Sequence, residues 1–67
     1  MTANRVRTLL LRGDNLLKSA RPERFGRALE AFEEAREAAG DDDVSPEVRE
    51  LVERRIDALR ELMEDAS

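Results

Sequence analysis

Residues 24–40, RFGRALEAFEEAREAAG, decide the fold of this chain. Apolar residues recur along this stretch at steps of three and four, which is the spacing of one face of an α-helix. They are Phe25, Ala28, Leu29, Phe32, Ala35 and Ala39. Both aromatic residues of the chain lie on this stripe. We therefore expect an amphipathic helix over residues 22–39 whose stripe forms the centre of the core.

The segment before this stretch carries a second helical stripe, and we expect a helix over residues 3–19. Its members are Val6, Leu9, Leu10, Gly13, Leu16, Leu17 and Ala20. A Gly inside a helix costs about 1 kcal/mol relative to Ala. We therefore expect Gly13 to mark a point where another helix approaches too closely for a side chain. Leu11 falls outside the stripe, and we expect it to be exposed to solvent.

Turn signals separate the second helix from its neighbours. Pro22 suits its first turn, because the missing N–H needs no partner there. Gly40 is placed to close the same helix in the left-handed conformation. The acidic residues 41–43 then predict a solvated turn.

A third stripe follows a strong helix start, with Ser45 as the cap and Pro46 in the first position. Its members are Val48, Leu51, Val52, Ile56, Leu59, Leu62 and Met63. This helix is expected over residues 46–64. Short connections make consecutive helices antiparallel neighbours. The sequence thus predicts an all-α fold, one domain over residues 1–67 built as an up-down-up three-helix bundle.

Composition argues against several functions. At 67 residues, the chain is near the size at which one core is marginal without a disulfide, a metal or oligomerisation. The absence of Cys and His excludes thiol chemistry and the common zinc sites. No Gly-rich phosphate loop is present, and no hydroxyl residue stands beside an evident base. We expect neither an enzyme nor a bound cofactor or metal.

The beginning of the chain bears on localisation. The apolar run at residues 8–11 is too short for a signal-peptide core, and no stretch could span a bilayer. An Arg-rich, acid-poor beginning leaves an organellar presequence as an alternative. Arg outnumbers Lys eleven to one, which we interpret as the codon usage of a GC-rich bacterial genome. We expect a bacterial, cytoplasmic protein.

Charge is divided unevenly along the chain. Residues 1–27 hold seven basic and two acidic residues, whereas residues 28–67 hold five basic and fourteen acidic residues, for a total of −4. One interpretation is a basic first helix packed against acidic neighbours. The other is that oppositely charged surfaces serve partners or a second copy of the chain.

The first two helices resemble a tetratricopeptide repeat, whose pattern is W-x2-L-G-x2-Y, then A-x3-F, then P. The matching positions, within residues 6–40, are Leu9, Gly13, Leu16, Phe25, Ala28, Phe32 and Ala35. There are departures: Gly13 to Ala28 is three residues longer than in the family, Arg12 replaces an apolar residue, and Gly40 replaces the closing Pro. The third helix would then look like the cap helix that follows such repeats.

The resemblance implies protein–protein binding in a groove lined by the first helix. The corresponding residues are Arg7, Leu10, Leu11, Asp14, Leu17 and Lys18. Some family members clamp a terminal carboxylate with Lys and Asn, but Leu10 and Asp14 stand at those places, so carboxylate capture is not expected. Because one repeat makes little groove, the unit must be capped, self-associate or dock onto a larger protein.

We therefore expect a non-catalytic interaction module or small adaptor that binds a peptide or helix of another protein. The alternative is a structural subunit that homo-oligomerises through the third helix and exposed leucines. A third possibility is a regulator that touches nucleic acid through the first helix. The negative net charge and the lack of interleaved aromatic residues argue against nucleic-acid binding. No membrane or small-molecule partner is evident.

Overall fold

The structure, a computed structural model, describes residues 2–19 and 21–66. Over these residues the chain forms three α-helices: α1 over Thr2–Leu17, α2 over Phe25–Ala39 and α3 over Pro46–Ala66. A short 3₁₀ turn, Pro22–Arg24, leads into α2. The prediction of an all-α, up-down-up three-helix bundle is confirmed.

The central helix is α2, and both α1 and α3 pack against it. Two ion pairs show the antiparallel direction of α2 and α3. Arg36 Nη1 lies 3.7 Å from Glu53 Oε1, and Arg60 Nη2 lies 4.0 Å from Glu33 Oε2. The earlier residue of α2 therefore pairs with the later residue of α3.

The core lies between the three helices and takes most of its small side chains from α2. Its buried apolar residues are Val6, Leu9, Leu10, Phe25, Ala28, Ala31, Phe32, Ala35, Ala39, Val44, Val52, Ile56 and Leu59. The described residues contribute no buried charged or polar side chain to it. Residues of the predicted stripes of all three helices thus supply the core, and Ala31 of α2 and Val44 of the connection are added to them. Ala20, expected on the first stripe, lies outside the described residues.

Gly13 is the point of closest approach between α1 and α2, as its position in the stripe predicts. A Cβ atom added at Gly13 would overlap Cε1 of Phe32 and come within 2.7 Å of Cζ. The Phe32 side chain is only 1% exposed, so the ring has little open space to move into. Gly13 is therefore required by packing.

The end of α2 differs from the prediction. Gly40 has φ −72° and ψ −9°, which is right-handed, so the expected left-handed closure is wrong. The chain instead tightens into an i to i+3 turn, in which the Gly40 N–H donates to the Glu37 carbonyl at 3.2 Å. The following residues 41–43 are exposed, as expected for a solvated turn.

An arginine of α3 holds this helix end. Arg49 Nε donates to the Ala39 carbonyl at 2.7 Å, and Arg49 Nη2 donates to the carbonyls of Asp41 and Val44 at 3.2 and 3.3 Å. Carbonyls at a helix C-terminus have no partner within the helix and carry partial negative charge. The Arg49 guanidinium therefore acts as a side-chain cap that ties α2, the connection and α3 together.

The other helix ends shift by a few residues from their expected positions. α1 ends at Leu17, where the Lys18 N–H turns back to the Asn15 carbonyl at 3.3 Å. The start at Pro22 is 3₁₀ rather than α, because the Arg24 N–H donates to the Arg21 carbonyl at 2.9 Å. α3 runs two residues beyond the expected end. Such shifts are usual because terminal turns fray and tighten.

The apolar stripe of α3 is wider than the surface that covers it. Val52, Ile56 and Leu59 are buried, whereas Leu51 and Leu62 are 41% and 47% exposed. Leu51 and Leu62 belong to the predicted apolar stripe of α3 but lie at its exposed edge. α3 has spare apolar surface on one side because α2 covers only the middle of the stripe.

Within the described residues, no helix combines the length and the apolar character needed to cross a bilayer.

Candidate partner-binding surface

The six residues expected to bind a partner do not all lie on the surface. Leu10 is only 7% exposed and belongs to the core, so it offers almost no contact area. Leu17 is half-buried and packs against the core cluster. Arg7, Leu11 and Lys18 are exposed, and Leu11 has 53% of its surface open to solvent.

Asp14, the sixth expected contact, is engaged within the protein. Its Oδ2 lies 3.3 Å from Nη2 of Arg55, and both side chains are about one-third exposed, at 36% and 37%. The pair joins α1 to α3. Asp14 therefore positions the two outer helices in this structure, and its carboxylate is already balanced by a guanidinium.

Leu11 lies in an open groove of about 590 Å³ along α1. The groove is lined by Thr8, Leu11, Arg12, Asn15, Leu16 and Arg24. Leu11 and Leu16 supply apolar contact area, while Arg12 and Arg24 supply two guanidinium groups. We call these six residues the Leu11 groove.

The Leu11 groove is positively charged, and other cations lie next to it. Arg7 stands four residues before Leu11, a spacing that places it on the same side of α1. Lys18 is exposed in the turn directly after α1. A neighbouring groove of about 340 Å³ differs, because Arg12 and Arg27 share it with Glu30 and Glu34. The unbalanced positive charge is thus centred on Leu11.

The packing of α1 also bears on the two interpretations of the uneven charge. Arg5 lines a groove with Glu34 and Glu37 of α2. A basic α1 therefore does lie against an acidic α2 on one side, as the simpler interpretation predicts. On its other side, at the Leu11 groove, no acidic residue lines the surface.

A second exposed surface runs along α3. Residues spaced by four, three and four positions lie on one side of a helix. They are Leu51, Arg55, Ala58 and Leu62, which we call the α3 stripe. The bond from Arg55 to Asp14 shows that the α3 stripe faces the side on which α1 lies.

Of the six residues that line the Leu11 groove, only Leu11 was among the predicted partner contacts, and the other five were missed. Thr8 and Asn15 stand three residues before and four residues after Leu11, so helical spacing alone could have found them. Arg24 could not be found in this way, because it reaches the groove only through the path of the chain between α1 and α2. Arg49, the cap of α2, was also missed, since its acceptors lie five to ten residues away in an irregular connection.

The Leu11 groove combines two guanidinium groups with an exposed leucine. Guanidinium groups form strong, paired hydrogen bonds with carboxylates, and an adjacent leucine adds apolar area. Within residues 2–19 and 21–66, no group of three or more His, Cys, Asp or Glu side chains is placed to hold a metal ion.

No protein-family model, curated protein or solved structure matches this chain.

Proposed function

We propose that this protein is a non-catalytic interaction module, similar to a tetratricopeptide unit with a cap helix, that acts as a small adaptor in the bacterial cytoplasm. Through the Leu11 groove it binds a helix or peptide of another protein that carries both apolar and acidic residues. The observation that carries the proposal is a leucine with 53% of its surface exposed between Arg12 and Arg24.

The groove can provide affinity in two ways. Burying a leucine side chain fully stabilises a complex by about 1.5–3 kcal/mol, and Leu11 has roughly half of its surface left to bury. The cations around Leu11 attract a carboxylate-bearing partner and speed its encounter, an effect that salt weakens. The preferred partner is therefore a helix with leucines on one face and glutamates beside them.

A synthetic helical peptide of this design tests the proposal. The peptide carries leucines at spacings of three and four flanked by glutamates, and the control peptide carries lysines in place of the glutamates. Fluorescence anisotropy should show binding of the acidic peptide alone, with an affinity that falls as salt rises. Equal binding of both peptides would contradict the proposal.

A variant of the protein provides the second half of the test. Leu11→Glu should abolish peptide binding, whereas Leu11→Met should retain most of it because Met keeps the apolar volume. Circular dichroism should show the same helical signal for both variants, since the side chain is exposed. Binding by Leu11→Glu at wild-type strength would exclude the Leu11 groove as the site.

A second candidate function is that of a structural subunit that associates with itself. The exposed fractions of Leu51 and Leu62 favour it, because both leucines lie on one side of α3 and keep 41% and 47% of their surface open to solvent. Light scattering on a size-exclusion column over a hundredfold range of loading concentration tests it. A mass of one chain at every concentration would contradict self-association.

A further inference from the structure

The last turns of α3 have the composition that the Leu11 groove should bind. Residues 61–66 hold three acidic residues and no basic residue. Leu62 lies among them with 47% of its surface exposed. Glu61 stands directly before Leu62, and Asp65 stands three positions after it, on the same side of the helix. Residues 61–66, which we call the acidic end of α3, thus combine an exposed leucine with negative charge.

The Leu11 groove is complementary to the acidic end of α3. Arg12 and Arg24 line the groove, and no acidic residue does. The carboxylate three positions after Leu11, that of Asp14, is already paired with Arg55 at 3.3 Å. Opposite charges therefore attract the two surfaces, and contact between them buries an exposed leucine on each.

The other exposed leucine of α3 lacks this complementarity. Glu47 stands four positions before Leu51, but Arg54 and Arg55 stand three and four positions after it. These spacings place all three charges on the same side of the helix as Leu51. Because both signs of charge surround Leu51, a cationic groove gains no net attraction there. Charge complementarity thus selects the acidic end of α3 and not the region around Leu51.

We propose that the acidic end of α3 of one copy binds in the Leu11 groove of a second copy. The inference rests on the proposed function of the groove and identifies an occupant for it, this chain itself. The two surfaces differ, so the contact is heterologous, and a pair leaves one groove and one acidic end free for further copies. Both leucines are already about half covered within one copy, so we expect weak association that rises with concentration and falls with salt.

Two variants that each lose one surface test the contact. Leu11→Glu disrupts the groove and keeps the acidic end of α3, whereas Leu62→Glu keeps the groove and removes the leucine of the acidic end. On light scattering, the wild type should gain mass as its concentration rises, and each variant alone should keep the mass of one chain. An equimolar mixture of the two variants should form a complex of two chains that grows no further, because each pair has only one intact groove and one intact acidic end.

Leu51→Glu is the matched control, because it places the same charge on the same helix. This variant should associate like the wild type, since Leu51 lies eleven residues, or about 16 Å, from Leu62 along the helix axis. Circular dichroism should show the same helical signal for all three variants, because the three leucines are exposed.

A charge reversal tests the electrostatic part of the contact. Glu61→Lys combined with Asp65→Lys should weaken self-association about tenfold, because it sets cations against Arg12 and Arg24. The same double variant should bind the synthetic acidic peptide at least as tightly as the wild type does, because its groove is intact. Unchanged self-association of the double variant would overturn the inference.

The inference and the proposed function fail in different ways. A wild type that binds the acidic peptide but keeps the mass of one chain at every concentration overturns the inference while the proposed function stands. Self-association that survives Leu11→Glu but is lost in both Leu51→Glu and Leu62→Glu overturns it in favour of contact between two α3 helices. A groove that binds no acidic peptide, together with a Leu11→Glu variant that associates like the wild type, overturns both.

Discussion

The two helices that flank α2 are attached in different ways. α1 buries Val6, Leu9 and Leu10 in the core and, at Gly13, lies directly against the Phe32 ring of α2. α3 meets α2 through the branched side chains of Val52, Ile56 and Leu59 and through ion pairs at its edges. At Gly13 the α1 contact leaves no room for an added carbon atom. The α3 contact depends on buried area and does not extend over the whole apolar stripe of α3. Leu51 and Leu62 therefore lie at the edge of this contact and are partly exposed.

The largest effect on stability should come from Gly13→Ala, which adds one carbon atom where α1 packs against α2. At an ordinary helix position Gly→Ala stabilises by about 1 kcal/mol. We expect Gly13→Ala instead to lower the free energy of unfolding by about 1–3 kcal/mol, because the new methyl group overlaps the buried Phe32 ring. Thermal unfolding should show a fall of about 4–8 °C in Tm per kcal/mol for a domain of this size.

Gly26 gives the matched control for this prediction. It lies in the first turn of α2, and a Cβ atom there would meet nothing within 4 Å. Gly26→Ala should therefore raise the Tm by reducing the conformational entropy of the unfolded chain. If Gly13→Ala stabilised the protein as much as Gly26→Ala, the close approach of α1 to α2 would be disproved.

Removing the Arg49 cap should lower the free energy of unfolding by less than Gly13→Ala does. The result tests how firmly α3 is tied to the end of α2. Hydrogen bonds from a charged donor contribute about 1.5–3 kcal/mol when well shielded, and this site is partly exposed. We expect Arg49→Met to lower the free energy of unfolding in urea by about 1–2 kcal/mol.

Lysine at the same position distinguishes the geometry of the cap from its charge. Arg49→Lys keeps the positive charge near the end of α2 but cannot donate from two fixed nitrogen atoms to separate carbonyls. Its stability should lie between those of the wild type and Arg49→Met. Equal stability of all three proteins would show that backbone turns alone close α2.

The smallest effect on stability should come from breaking the Asp14–Arg55 ion pair, which links α1 and α3. The Asp14–Arg55 ion pair is partly exposed, and such pairs contribute about 0.2–1 kcal/mol. A double-mutant cycle with Asp14→Asn and Arg55→Met should give a coupling energy in this range that shrinks as salt is added. Measurement at low protein concentration keeps any self-association out of the result. A coupling well above about 1 kcal/mol would mean that the ion pair is better shielded from solvent than its exposure indicates.

Much of the fold could be predicted from the spacing of apolar residues. The stripes of α1 and α2 predicted their buried faces, and Gly13 predicted a close helix contact because a Gly inside a stripe has a cost that packing must offset. The end of α2 could not be predicted in the same way. Gly40 permits a left-handed conformation but does not require it. Because Arg49 donates to the Ala39 carbonyl, α2 can end in a right-handed turn.

The candidate surface was predictable only in part. Leu11 was expected to be exposed because it falls off the stripe, and it is. Leu10 was assigned both to the core and to the partner surface, and only burial separates these roles. Leu51 and Leu62 share the periodicity of buried residues, so their exposure depends on how wide a face α2 can cover.

The sequence by itself determined the three helices, their antiparallel order, the Gly13 contact and the exposure of Leu11, because these follow from local periodicity, turn chemistry and short connections. The tertiary structure alone decided that Arg24 joins the Leu11 groove, that Arg49 caps α2 and that Leu51 and Leu62 stay uncovered. The physical reason is that periodicity fixes which side of a helix is apolar. How much of that side is buried depends on the width and the distance of the neighbouring helices.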